Sequence, residues 1–584
     1  MTAGDEDAMS GAPGGSAQAS AGSGGTGAAV EDEPSPAGAA GQGGTAGQAG
    51  TAGAEPIVDG TPCATSDDCD DGKPCDGQEA CVSGFCAAGE APSCDPNLQC
   101  SDNEGGACVF ADESPWIVYQ ADDDTPGVPE VYAVKRGLLG KMTPIKLNDP
   151  LDAGWETIGG TWSPDHQLYT FIVRQRSPYQ ATMQTVRFGR GLPEKAVTIP
   201  GDSMDWAPSG RAFAMSEASG ISIYEYATDG TFKRAFTSTD PDNEDGYGDW
   251  TPLDELVFIS TSKLTQKSSI RLAKLEGTTW KASELATGIA DLWRFDVSPT
   301  GTEFIYQAQH SDSYGPMYVM GVHSGGAPKP LAPAGYHPFS WSRDGSKFLL
   351  LEEDDAGYTK AYLGTGSAYS RQMTQIAPGE IISSAWFTPD SKQVILWEPA
   401  NEWAHDVTLL DPAKNTAYSY DTLARNGLRD SGPFFSQDQD LAVIPERDYN
   451  NTEIHLLLFS LSGRHSRDRF DSIPPDNEYR DVRISAHNEF VAYTKGVYPN
   501  YDGAYVDLRY NTSGDPKPVR LPGEGTLYSF NFDSSGTALY YIRELDNGAR
   551  DCYYLDLSRQ VAQAPIKVNR DGRTNQCSAQ PLTP

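Results

Sequence analysis

The chain has 584 residues, long enough for several domains or one large repeat array. Its 81 acidic residues against 44 Lys and Arg leave a formal net charge of −37, which argues against nucleic acid and against anionic lipid, because both need a basic face. No apolar run is long enough to form a membrane-spanning helix.

Residues 1–62 are Gly, Ala, Ser, Thr and Pro with a few acids, and contain no Cys, aromatic residue, Lys or Arg. Such a segment buries too little apolar surface to offset its chain entropy, so a disordered, flexible tether is expected. The start, Met1-Thr-Ala-Gly-Asp5, shows neither the basic n-region nor the apolar h-region of a signal peptide. The cysteines that follow point to an oxidising compartment. The reading therefore places the true start further upstream, as in a surface lipoprotein whose tether follows its lipidated cysteine.

Residues 63–112 hold eight of the ten cysteines: Cys63, Cys69, Cys75, Cys81, Cys86, Cys94, Cys100 and Cys108. Only two aromatics, Phe85 and Phe110, accompany them, so cross-links must supply the stability that a core cannot. Zinc is the rival reading. It prefers closely paired cysteines and often His, whereas the closest pair here, Cys81 and Cys86, is four residues apart and no His is present. A disulfide module is expected, with its pairing left open among the many that eight cysteines allow. The phrase Cys69-Asp-Asp-Gly-Lys-Pro-Cys75 through Cys86 resembles small Dickkopf-like cysteine-rich modules of myxobacterial type. That resemblance implies secretion or surface display.

From residue 113 to 570 one phrase recurs: an aromatic or aliphatic anchor, a tight turn, then an apolar strand. The anchors are Trp162, Trp206, Trp250, Val297, Trp341, Phe387, Phe435, Ile484 and Phe532, spaced 44 to 49 residues apart. A fixed period of this size, with short strands bounded by Gly, Pro and Asp, marks a β-propeller with one four-stranded sheet per period. In the fifth copy the strands are expected at 337–341, 347–352, 360–363 and 374–376. The turn residues are structural: Asp bonds back to its own backbone and Gly takes the left-handed position. The pattern resembles the TolB-type propeller repeat, whose units read W-S-P-D-G. The same repeats occur in the propellers of prolyl oligopeptidase relatives.

Ahead of the first anchor, 116–120, 130–134 and 144–147 read as the second to fourth strands of a further unit. The fold class is thus all-β, with one propeller of about 8–10 four-stranded blades, its two chain ends sharing one blade, as the first expectation and two fused smaller propellers as the second. Cys552 and Cys577 read as a disulfide holding the C-terminus to the last blade, and 571–584 as a C-terminal tail.

Chemistry is sparse. No G-x-S-x-G elbow occurs, and nothing follows the propeller that is large enough for a hydrolase domain, so the peptidase activity of those relatives is not expected. The eight His residues are scattered without metal-ligand spacing. Asp240, Asp242, Glu244 and Asp245 form the one candidate calcium cluster, although the Gly at 246 falls one place late for the usual loop. No other cofactor is expected. Asp205, Asp249, Arg294, Asp296, Arg480 and Asp481 lie beside anchors, where a propeller opens its channel, and are the candidate ligand residues. Acidic runs at 122–124 and 352–355 suggest one acidic rim. The reading favours a non-enzymatic, extracytoplasmic interaction propeller of the cell envelope, in the periplasm, at the outer surface or secreted. Its partners would be envelope or surface proteins. The alternative is a carbohydrate-active enzyme or glycan-binding protein with its site in the channel.

Overall fold

The computed structural model describes residues 61–579 apart from short intervals, the longest being 309–314, 366–371, 377–383, 421–433, 461–467 and 510–516. The tether lies outside the described residues except for Thr61 and Pro62. Ten four-stranded antiparallel sheets form the ten blades of a β-propeller. Nine run in chain order. Their innermost strands are Trp155–Trp162 in blade 1, Met204–Trp206 in blade 2, Asn243–Trp250 in blade 3, Leu292–Val297 in blade 4 and Tyr336–Trp341 in blade 5. Ser384–Phe387, Phe434–Phe435, Glu478–Ile484 and Thr526–Phe532 serve blades 6 to 9.

The tenth blade closes the ring. Its innermost strand, Thr574–Ala579, comes from the C-terminal stretch and pairs with Trp116–Ala121, which is followed by Glu130–Lys135 and Ile145–Lys146. The shared blade expected from the sequence is therefore present, and the count resolves to ten. In blade 5 the strands fall at Tyr336–Trp341, Lys347–Glu353, Thr359–Thr365 and Gln372–Gln375, within two residues of expectation at every end.

The core lies between blades. Successive strand residues face opposite sides, so a blade covered on both faces needs unbroken apolar runs. In the closing blade Ile117, Tyr119 and Ala121 pack on Tyr540, Ile542 and Cys552 of blade 9. The intervening Trp116 and Val118 pack on Tyr169, Phe171 and Phe188 of blade 1. The same division recurs at most of the other seams, for example Leu349 toward blade 6 and Phe348 toward blade 4.

The repeated corner has a physical centre in the Ser or Thr after the anchor. Ser342 is fully buried; its hydroxyl donates to Asp344 at 2.7 Å and accepts the Lys347 N–H at 2.9 Å. Thr388 makes the same pair of bonds with Asp390 and Gln393. Gly345 follows with φ +66°, and a Cβ there would strike Thr300 in the corner of blade 4. That corner thus rests on the preceding one, which Gly permits without strain; in blades 1, 3, 6 and 8 the same left-handed position is held by His166, Asp254, Ser391 and Asn488.

All ten cysteines are in disulfides: Cys63–Cys81, Cys69–Cys86, Cys75–Cys100, Cys94–Cys108 and Cys552–Cys577. The N-terminal module has two hairpins, Ala80–Val82 with Phe85–Ala87 and Leu98–Ser101 with Ala107–Phe110. The second docks on the ring. Phe110 is buried in the seam between the closing blade and blade 1, and its N–H donates to the Arg190 carbonyl at 2.8 Å.

Candidate functional site

The innermost strands line the channel, and the residue just before the anchor holds one register position from blade to blade. In blades 2, 3 and 4 that residue is Asp205, Asp249 and Asp296. They pair with Ala214, Val257 and Ile305 of their second strands and so stand at matched heights. Three successive blades thus present an arc of carboxylates. The arc is stitched to the wall. The Val297 N–H in blade 4 donates to the Asp249 carboxylate at 3.5 Å, and Trp250 Nε1 donates to the Asp205 carbonyl at 3.1 Å.

The electrostatics follow from crowding and loss of water. Asp205 is exposed and Asp249 and Asp296 are half-buried. Desolvation pushes Asp205 up to about 6. It pushes Asp249 up to about 7, helped by the negative charges of Asp296 and Asp205 and opposed by the Val297 N–H. Asp296 is also raised by burial, with Arg294 pulling the other way. A desolvated carboxylate between two others holds its proton because the charged form lacks both water and a counter-ion.

Arg480 and Asp481 lie on the blade 8 inner strand, both exposed. The Arg480 guanidinium stacks 5.4 Å from the Tyr501 ring centre, and the Asp481 N–H donates to Thr494 Oγ1 at 2.9 Å. The structure adds Arg483, which sequence reasoning missed. It occupies in blade 8 the place that the three Asp residues hold in theirs, exposed and donating to Asn531 Oδ1 at 2.9 Å. Its signal was the position before the anchor Ile484, where the sequence reading took Arg480 and Asp481, which the register shift between Tyr479 and Val482 sets apart.

The candidate calcium residues do not converge. Asp240 lies outside the described residues. Asp242 is an exposed turn residue, and the strand Asn243–Trp250 puts Glu244 exposed on one face and Asp245 buried on the other. Among the described residues, the one group of three ligand-type side chains in mutual reach is Cys63, Cys69 and Cys86, all spent in disulfides. The acidic run 122–124 is engaged in closure: Asp122 accepts the Arg573 N–H, Asp123 accepts the Tyr119 hydroxyl at 2.9 Å, and Asp124 pairs with Lys146 at 2.7 Å and with Arg570. Asp354 and Asp355 of the second acidic run lie outside the described residues. A mixed cleft of about 690 Å³ opens between the module's second hairpin and the 187–194 loop of blade 1, with Leu98, Arg187, Phe188 and Leu192 among its walls.

No helix among the described residues is long and apolar enough to cross a membrane. No family model matches the chain, and no curated protein matches it. Among solved structures it is similar to the eukaryotic initiation factor, at 11% identity and TM-score 0.46 over 80% of this chain and 99% of that one. It is similar to TolB from Acinetobacter baumannii, at 14% identity and TM-score 0.25 over 66% and 84%. It is also similar to an oligogalacturonate lyase in complex with manganese, at 10% identity and TM-score 0.35 over 57% and 93%.

Proposed function

We propose that the chain is a non-enzymatic interaction protein of the cell envelope, acting outside the cytoplasm, that engages a partner protein through its propeller channel. The observation that carries this reading is the arc of Asp205, Asp249 and Asp296. Three carboxylates are held against desolvating walls, and among the described residues a cation, Arg294, offsets only Asp296. Carboxylates so placed gain most from a cationic side chain brought by a partner, since both charges are then paired away from water. Five disulfides support an oxidising compartment, where such bonds persist. The repeated corner residues are absorbed in turn-making, so they supply no catalytic group.

The test is capture from an envelope extract on the immobilised full-length chain, run beside an Asp205→Asn/Asp249→Asn/Asp296→Asn variant. The reading expects one or a few envelope proteins bound by the wild type and lost by the variant. Partners retained equally by both would overturn the channel as the contact surface. Turnover of an oligosaccharide by the purified chain would overturn the non-enzymatic reading.

A further inference from the structure

The seam between blades 2 and 3 is apolar over most of its depth, with Ile221 and Ile223 of blade 2 packed on Leu256, Phe258 and Trp250 of blade 3. One carboxylate interrupts it. Asp245, on the inner strand of blade 3, is 7% exposed, and its Oδ1 is buried without a hydrogen-bond partner. The strand register sets it directly opposite Ser260, which is 1% exposed and whose hydroxyl is likewise buried and unpartnered. Leu256, Phe258 and Ser260 alternate along their strand and so face the same way, toward blade 2. Blade 2 meets them there with Gly220 and Ser238. A Cβ at Gly220, where φ is +122°, would stand 2.5 Å from the Ser238 carbonyl oxygen, 2.8 Å from its hydroxyl and 3.2 Å from Asp245 Oδ2. Oxygens of both blades therefore border a space that only a residue without a side chain leaves open. Arg271, on the same face of blade 3, lies over the Phe258 ring, 5.7 Å from its centre, and makes no ion pair with Asp245.

We propose that this seam is a binding site for one monovalent alkali cation, held by Asp245, Ser260 and Ser238. A buried carboxylate with neither water nor a counter-charge is costly, and a cation bound to it removes that cost. The donor set selects the class. Carboxylate, hydroxyl and carbonyl oxygens are hard ligands, and with no nitrogen or sulfur ligand beside them they do not suit a transition metal. One negative charge among neutral oxygens balances one positive charge, whereas calcium sites gather several carboxylates. The neighbouring acids do not add a second: Asp242 is exposed in the turn, and Glu244 is exposed on the opposite face of the strand. The site is thus distinct from the four-acid cluster expected from the sequence and shares only Asp245 with it. The bound cation joins the Ser238 connection of blade 2 to the inner strand of blade 3, Asn243–Trp250, the strand that carries Asp249.

The experiment is thermal melting of the full-length chain, dialysed into a choline buffer and then brought to equal ionic strength with sodium, potassium or choline chloride. A cation that binds the folded state alone stabilises it by mass action, so sodium or potassium is expected to raise the wild-type melting temperature by several degrees over choline. Asp245→Asn removes the buried charge. It should melt at one temperature in all three salts, at or above the wild type in choline, which a variant that merely failed to fold would not do. Glu244→Gln, its exposed neighbour, should keep the wild-type response. Broadening of the sodium NMR resonance by the wild type, lost with Asp245→Asn, reads the binding directly. Wild-type melting that ignores the exchange of choline for sodium and potassium would overturn the proposal, as would a salt response that Asp245→Asn retains. A larger rise in calcium chloride than in either alkali salt, at the same ionic strength, would overturn the monovalent assignment.

Discussion

The Gln576 side-chain amide bonds the Gly160 backbone twice: Nε2 donates to the Gly160 carbonyl at 3.1 Å, and Oε1 accepts the Gly160 N–H at 3.0 Å. The C-terminal strand of the closing blade thereby grips the inner strand of blade 1, 416 residues away in sequence. Gly159 and Gly160 make the approach possible, because a Cβ at 159 would strike Gln576 and one at 160 the Tyr169 ring. Gln576→Ala leaves a half-buried N–H and C=O without partners, so a loss of about 1–3 kcal/mol is expected. A lower urea midpoint, with earlier proteolysis of the C-terminal strand, is the readout. An unchanged midpoint would mean that the Cys552–Cys577 bond alone keeps the ring shut.

Arg543 is the largest fully buried cation. Its side chain is 0% exposed and saturated: Nε bonds the Pro522 carbonyl at 3.0 Å, Nη1 the Gly525 carbonyl at 2.7 Å and Nη2 Asp502 at 2.9 Å and the Leu521 carbonyl. It ties the third strand of blade 8 and the crossover at 521–525 to the second strand of blade 9, Ala538–Glu544. Arg543→Met would leave the Gly525 and Leu521 carbonyls without their guanidinium donor, while Pro522 keeps the Tyr541 hydroxyl and Asp502 keeps Arg520, so the expected cost is about 3 kcal/mol. Arg543→Lys should recover little, since one ammonium cannot span the fork. Thermal melting of the two variants decides it: a Lys variant that melts with the wild type would reduce the role of Arg543 to its charge alone.

Much of this architecture was legible in the residues. The anchor–turn–strand phrase located the blades, and strand ends in the fifth copy were placed within two residues, because turn chemistry and apolar runs are local signals. Ring closure was legible from three orphan strands at 116–147 that lacked an innermost partner. That the partner lay at 574–579 was not, since Thr574-Asn-Gln-Cys-Ser-Ala579 has no apolar alternation and becomes a strand only through Trp116–Ala121. The arc of Asp205, Asp249 and Asp296 was legible by position. Arg483 was passed over for Arg480 and Asp481, which the register shift between Tyr479 and Val482 takes out of that position. The register shifts that precede anchors in blades 1, 3, 4, 5, 8 and 9 leave no mark in composition.

The cysteine module is built into the ring rather than hung from it. Phe110 is 2% exposed, meets Trp116 edge-on at 5.3 Å and lies under the Lys135 ammonium. Phe110→Ala should therefore cost about 3–5 kcal/mol, as deletion of a buried aromatic ring does. Loss of protection at the junction between Phe110 and Trp116 in limited proteolysis, with all disulfides intact, is the expected sign. A module hung loosely on the chain would predict the opposite, a variant with wild-type melting.

Asp249 makes stability depend on pH in a direction unusual for a carboxylate. Its folded value, about 7, lies above that of an unfolded Asp, so between about pH 4 and 7 the folded state binds the proton more tightly. The stabilisation is complete below pH 4 and is lost as pH rises through 7; Asp205, at about 6, adds to it in the lower part of the window. Carboxylates such as Asp502, held low by Arg543 and Arg520 despite partial burial, act in the opposite sense and weaken the fold in acid. The total curve therefore hides the effect, and a difference is needed. Asp249→Asn is neutral at every pH, so relative to wild type it should gain melting temperature progressively as pH rises from about 4 to 7 and show little difference below pH 4. Exposure to the channel keeps the gain to a few degrees at most. Parallel melting curves across that range would mean that Asp249 is already paired with a cation in solution. A partner's basic residue bound at the arc should abolish the difference in the same way.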